Sequence, residues 1–181
     1  MRLERKFFRQ DACSLGKNLL GKVLCVFDKK YRIVEVEAYM GVTDRASHAY
    51  NNKRTSRTEV MYADGGCLYV YLIYGMYYLL NIVASVKDTP EAVLIRAVEP
   101  MDGEHLVKYT NGPGKLCKYI GIDKTFNGLD LTISSDVYIE DDGYYVQEIV
   151  TSKRINVDYA LEDKDKPWRF YIKNSSFVSQ K

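Results

Sequence analysis

Apolar and aromatic positions along this chain recur at a spacing of two far more often than at the helical 3.6, in short runs broken by glycine, proline and charge. From Tyr31 to Met40 the alternation places Val34, Val36 and Ala38 on one face of a strand and Ile33, Glu35, Glu37 and Tyr39 on the other. Lys22 to Phe27 reads as its hairpin partner across Asp28-Lys29-Lys30. The run from Cys67 to Val83 predicts a second hairpin, with Tyr74 immediately before the turn glycine Gly75. Tyr69 and Tyr71 share one of its faces, and Val70 and Leu72 the other. Further strands are expected over Ala92 to Val98, Val137 to Glu140, Arg154 to Tyr159 and Arg169 to Ile172.

Helical spacing is confined to two places. Asp11 is placed to cap a helix that carries Ala12, Leu15 and Leu19 on one side and ends at Gly21. Gly112-Pro113-Gly114-Lys115 leads into a short helix from Leu116 to Ile122. Local hairpins with a few helices beside them predict an α+β fold. The expected form is a single compact domain over residues 1–181: a curved, mostly antiparallel, open-barrel-like sheet, helices packed around it, and a protruding tyrosine-tipped hairpin.

Composition narrows the class. Hydrophobic residues make up 46% of 181, enough for a real core, and no apolar run approaches 18 residues. The start, MRLERKFF, is too charged for a secretory signal, so a cytoplasmic protein with no membrane association is expected. Cys13, Cys25, Cys67 and Cys117 show no paired spacing; neither a metal nor another cofactor is indicated, and the four thiols read as small buried hydrophobes. The formal net charge of +2 announces no polyanion partner, but its distribution is uneven. Arg45, Lys53, Arg54 and Arg57 are opposed between Val42 and Thr58 only by Asp44, Lys108, Lys115 and Lys118 follow without an acid, and the acids gather from Asp136 to Asp165. One basic face laid along phosphates fits that asymmetry.

The candidate chemistry lies on the strand at Glu37. If its polar face looked at solvent, Glu35 and Glu37 would be ordinary surface charge, and the tyrosine hairpin an aromatic core element. If it faces a pocket, Glu37 becomes a base with the Tyr39 ring beside it, and His48 follows eleven residues later. Glu35 competes with Glu37, since two carboxylates on one face can split their pKa values, but Glu37 adjoins Tyr39 and Glu35 is expected in a structural contact at the pocket rim. The glycine turn before Lys115 lacks the spacing of a Walker loop and reads either as a plain turn or as a phosphate contact.

VEVEAYMG, SHAYNNKRTSRTEVMY, LYVYLIYGMYYLLNIV, VLIRAVEP, GPGKLCKYIGI and RINVDYALEDKDKPWRF occur in this order. That succession, from about Phe7 to Val178, closely resembles the alkyladenine (3-methyladenine) DNA glycosylase family. The resemblance implies that Glu37 prepares a water for attack on the sugar carbon, that Tyr39 and Tyr71 sandwich an extruded base with His48 facing them, and that Asn81 forms the pocket floor. It implies that Tyr74 wedges into the minor groove, that Thr55 and Met76 contact DNA around the lesion, and that Arg96 lies near both DNA and pocket; Arg57 and Lys115 are expected at the DNA as well. Thr58, Glu59 and Asn156 depart from the family's pattern, the last standing where glycine is common, although asparagine tolerates left-handed backbone.

The physics of base excision suits these roles. A base must leave the duplex before chemistry, an aromatic wedge can hold the vacated space, and a cationic methylated purine gains about 0.5 to 2 kcal/mol over a tyrosine face. With no lysine beside Glu37, hydrolysis without a Schiff base is expected, which leaves an abasic site in base excision repair. The expected partner is double-stranded DNA with damaged purines, met by a monomer at a bacterial nucleoid, with 3-methyladenine, 7-methylguanine, hypoxanthine and ethenoadenine unranked. A noncatalytic nucleic-acid module would keep the fold without releasing a base. A hydrolase of free nucleosides would need the pocket but neither the Tyr74 tip nor the basic flanks.

Overall fold

The computed structural model describes residues 1–103 and 106–180. Helices α1 (Arg5–Phe8) and α2 (Ala12–Leu19) come first, followed by β1 (Val23–Val26) and β2 (Lys29–Tyr39). A long segment of short 3-10 turns leads to β3 (Leu68–Ile73), β4 (Tyr77–Ala84) and β5 (Glu91–Pro100). Then come α3 (Pro113–Ile120), β6 (Val137–Glu140), β7 (Ile149–Ser152) and β8 (Arg169–Ile172). The eight strands form one sheet in the order β3-β4-β5-β2-β1-β6, with β8 on β2 and β7 on β8. Every strand pairing is antiparallel, and the sheet does not close on itself. This is the expected α+β class.

β2 is the spine. β5 runs along one edge from Tyr31 to Tyr39; on the other edge β1 pairs with Lys29 to Arg32, and β8 with Glu35 to Glu37. Register shifts on both sides of Glu35 mark a bulge, which lets one strand serve two successive partners. β-branched residues at Val34 and Val36, with Ala38, enter the main core together with Ile95, Leu80 and Ile82 from the neighbouring strands. α2 and α3 cover that face. Asp11 accepts from the Ser14 amide at 3.0 Å as the cap of α2, and Leu15 and Leu19 are fully buried. Gly16 brings α2 close, since a Cβ there would meet the Phe170 ring at 3.3 Å. α3 starts at Pro113 and ends at Gly121, whose φ of 77° is the left-handed cap that glycine provides.

Three expectations need correction. The β1–β2 turn is Phe27-Asp28, with Lys29 and Lys30 already in strand, and Phe27 takes φ 53° to close the tighter loop. Leu72, on the edge strand β3, does not join Val70 in the core but is 43% exposed. Residues 154–159 form no strand: the Ile155 amide is bonded to a carboxylate instead of a ladder carbonyl, Asn156 takes φ 59°, and a 3-10 segment over Asp158–Asp165 follows. The strand on that side is β7, earlier in the chain, and it pairs with β8. In the 3-10 segment Leu161 holds φ 50°, ψ −121° while 59% exposed, a conformation that L side chains rarely adopt.

Phe170, 1% exposed, joins β8 to α2 and to the main core. Phe170→Ala is expected to destabilise the fold by about 3–5 kcal/mol, read as a fall in the denaturant midpoint at unchanged slope.

Candidate active site

Cross-strand register assembles the site. Glu37 on β2 pairs with Leu94 on β5, Leu94 with Asn81 on β4, and Asn81 with Tyr69 on β3. Residues paired across an antiparallel sheet point to the same side, so Glu37, Asn81 and Tyr69 form one transverse row on the face away from α2 and α3. Tyr39, two residues beyond Glu37, and Tyr71, two beyond Tyr69, extend it. A smaller cluster of Ala49, Met61, Tyr62, Tyr69, Val83 and Ala92 backs this face. The segment after β2 lays Ala46, Ser47 and His48 over it, leaving a cleft of about 340 Å³. Tyr39, His48, Tyr71 and Asn81, four residues expected in a base pocket, all line that cleft, with Tyr69 and Tyr159 beside them.

The rings are held in fixed relation. His48 and Tyr71 meet at 4.6 Å between centroids and 67° between planes, and Tyr69 and Tyr71 at 5.2 Å. The His48 Nδ1 lies 2.9 Å from the Tyr69 hydroxyl, and the two groups share a hydrogen bond. Burial, then the charges of Arg57 and Lys53, push the His48 pKa down to about 4. Asn81, 3% exposed, donates from Nδ2 to the Tyr69 carbonyl at 3.1 Å, which fixes its amide and leaves the side-chain oxygen as an acceptor.

Glu37 is 0% exposed and does not itself line the cleft; it lies behind the wall, bonded to the hydroxyl of Tyr39, which does. Its Oε1 accepts from the Ile155 amide at 2.7 Å and lies 3.3 Å from Arg96 Nη1; its Oε2 accepts from the Tyr39 hydroxyl at 3.0 Å. A carboxylate offers about four acceptor positions, so one on Oε2 stays open. Burial pushes the Glu37 pKa up against the opposing pull of Arg96, the Ile155 amide and Tyr39. The Tyr39 phenol is itself held well above its ordinary pKa, by burial and then by the Glu37 charge, and so remains a donor.

Glu35 is not at a pocket rim. It is fully buried, its Oε1 accepting from Arg96 Nε at 2.9 Å, Arg169 Nε at 2.8 Å and the Ser179 hydroxyl at 2.8 Å, and its Oε2 from the Ser179 amide at 2.6 Å. Burial alone would raise its pKa; Arg96, the Ser179 amide and Arg169 outweigh that and hold it below the ordinary value. The two carboxylates are therefore driven apart, Glu35 locked as an anion and Glu37 basic. Arg96, expected near DNA as well as the pocket, is 7% exposed and lies between these two acids.

The remaining expected contacts lie on the surface. Thr55 and Arg57 line a groove of about 870 Å³ beside the cleft, together with Arg45, Tyr50 and Lys53. Tyr74, 84% exposed at φ 51°, and Met76, 66% exposed, form the tip between β3 and β4. Lys115 is exposed at the start of α3 and donates to Asn111 Oδ1 at 3.2 Å. Gly114 in the same turn has a packing reason to be glycine, because a Cβ would meet the Tyr77 ring at 2.9 Å. Arg54 is engaged by Glu59 at 2.6 and 2.9 Å and Asp88 at 2.8 Å, so Glu59 is an arginine partner on this surface.

Sequence reasoning missed three contributors. Tyr159 lines the cleft, yet lies in a segment read as strand. Asp44, read as opposition to basic loop residues, is fully buried, with its oxygens 2.6 and 2.9 Å from the Arg154 guanidinium. Arg154 in turn lies 4.8 Å from the Tyr39 ring. The separation of 110 residues between Asp44 and Arg154 left no local periodicity to find them by.

Comparison with known proteins shows the family. A family model described as Methylpurine-DNA glycosylase (MPG) matches residues 6–176. The chain belongs to that family. Relatives carrying the name "Putative 3-methyladenine DNA glycosylase" include that of Clostridium novyi (strain NT), 51% identical with 99% of each chain covered. Those of Alkaliphilus oremlandii (strain OhILAs), 49% identical with 100% of each chain covered, and Borreliella afzelii (strain PKo), 50% identical over 98% of this chain and 100% of that one, carry the same name. Membership makes the chain a DNA glycosylase, a hydrolase of N-glycosyl bonds, with DNA as its partner. No helix among the described residues is long and apolar enough to cross a membrane.

The depressed His48 pKa has a measurable consequence. In the unfolded chain His48 binds its proton near the ordinary value of 6.5, and in the fold only near 4, so acidification through that window favours unfolding. The expected outcome is an imidazole NMR signal that stays in its neutral form down to pH about 5, with stability falling as pH drops toward 4. A His48 that titrates near 6.5 in the folded protein contradicts a buried, uncharged imidazole.

Proposed function

We propose that the cleft receives an alkylated or deaminated purine, of the 3-methyladenine type, swung out of duplex DNA, and that Glu37 activates the water that severs it from deoxyribose. The observation that carries this reading is the hydrogen bond of 3.0 Å from the Tyr39 hydroxyl to Glu37 Oε2, made by a ring that forms the wall of the cleft. A base stacked on Tyr39 brings its sugar carbon toward that oxygen. Water donates a proton to Oε2 as its oxygen attacks the carbon, and the glycosidic electron pair leaves on the purine. A ring-methylated purine is cationic and becomes neutral as it accepts that pair. The raised pKa of Glu37 makes it a better proton acceptor than its neighbour Glu35, whose pKa is lowered.

The walls suit a purine. Tyr39 and Tyr71 offer faces, and the His48 imidazole and the Asn81 oxygen offer polar atoms for base edges. No lysine lines the cleft among the described residues, which favours hydrolysis over a Schiff base. Outside, Tyr74 is placed to enter the minor groove and hold the vacated space, with Met76 at its side, while Thr55, Arg57 and Lys115 follow the phosphates. The Arg96 guanidinium supports the carboxylates rather than the DNA backbone. One cleft acting on one nucleotide fits a monomer working on the nucleoid in a bacterial cytoplasm.

Glu37→Gln is expected to keep duplex binding and lose release of methylated adenine, at least about a hundredfold in the single-turnover rate constant, assayed without added metal or nucleotide. Unchanged release would remove Glu37 from the chemistry. Tyr74→Ala is expected to slow release from paired lesions more than from the same lesion in single-stranded DNA, and equal losses on the two substrates count against a wedge.

A further inference from the structure

Over the Tyr39 ring, and not among the residues that line the cleft, lies a guanidinium with no part in the mechanism above. Arg154 has a fully buried side chain. Asp44 grips it with both oxygens, and it donates further to the carbonyls of Ala38 at 3.1 Å and Asp163 at 3.2 Å. Its carbon lies 4.8 Å from the Tyr39 ring centre and 5.0 Å from that of Trp168. Its Nε has no hydrogen-bond partner, so the guanidinium is not placed where its own donors are best satisfied. The next residue is Ile155, whose amide holds Glu37 Oε1. Asp44 also anchors the segment over the cleft, through the amides of Met40 at 3.1 Å and Ala46 at 3.0 Å.

We propose that Arg154, locked by Asp44, is a positioning residue for base excision that sets at once the Tyr39 ring and the backbone amide by which Glu37 is aimed. The inference rests on Glu37 acting as the base. A lysine could keep the charge, but one ammonium cannot serve both Asp44 oxygens, two carbonyls and a flat aromatic contact together. Loss of the fork frees Tyr39 to tilt and the 154–156 backbone to shift, which misdirects the Glu37 carboxylate without touching the DNA-facing surface.

The test compares Arg154→Lys, and Arg154→Gln combined with Asp44→Asn, with the unaltered full chain. The first keeps Asp44 compensated and the second removes both buried charges, so folding does not depend on a single variant. Single-turnover release from methylated duplex DNA is expected to fall about a hundredfold. Affinity for a duplex carrying an uncleavable abasic analogue should change by less than about twofold. Emission from Trp168, the only tryptophan, should shift in both variants. In a Glu37→Gln background, the Arg154→Lys change should slow the residual release no further, because the two residues act as a unit. Release near the unaltered rate by either folded variant overturns the proposal, as do equal losses in release and affinity, or a full additional loss in the Glu37→Gln background. If Glu37→Gln alone leaves release intact, it is the reading of the reaction that fails, whatever Arg154 does.

Discussion

The structure depends on the burial of three carboxylates against three guanidiniums on one face of a sheet. Glu35, Glu37 and Asp44 are each fully buried, and Arg96, Arg154 and Arg169 are between 5% and 7% exposed. Ions removed from water cost several kcal/mol apiece unless geometry returns that loss, so these groups tolerate little displacement. Apolar residues could fill the same space with equal or greater stability. What the charges supply is one acid held as an anion by two guanidiniums and another whose environment leaves it basic and directed. The opposite face, packed on α2 and α3 with an ordinary apolar core, carries the stability that such a layer does not.

Strand alternation revealed much of this arrangement. Period-two reading put Glu35, Glu37 and Tyr39 on one face and Tyr69 with Tyr71 on another, and the pairings that join β2 through β5 and β4 to β3 bring those faces together. The cap at Asp11 and the left-handed Asn156 were likewise legible, because both are local matters of side-chain and backbone geometry. Partners supplied from far along the chain were not. Glu35 is closed off by Ser179, 144 residues away, and Glu37 by an amide 118 residues away. Nothing in a window around either glutamate indicates them. The stretch after Arg154 misled for a related reason: its apolar residues mimic a strand while its polar groups are committed to Asp44 and Glu37.

Charge told a similar story at the surface. The basic run between Val42 and Thr58 divides in three dimensions: Arg45 and Arg54 are drawn to Glu162, Glu59 and Asp88, whereas Arg57 turns to the aromatic cluster and Lys53 lines the groove beside it. The acids after Asp136 are also partly spent, with Asp141 and Asp142 on Lys22 and Arg32 at the far end of the sheet. A tally along the sequence thus overstates the free cation near the cleft and the free acid away from it. Position relative to the sheet decides which charges remain to meet a polyanion.

Leu161 sits in backbone geometry natural to glycine, one turn from Tyr159 at the cleft mouth, and that conformation costs about 1–3 kcal/mol. The chain thus carries a reserve of recoverable stability beside its reactive centre, in a residue that bonds to none of the catalytic groups. For anyone hardening this enzyme for use at elevated temperature, a single side-chain deletion there is the natural first edit.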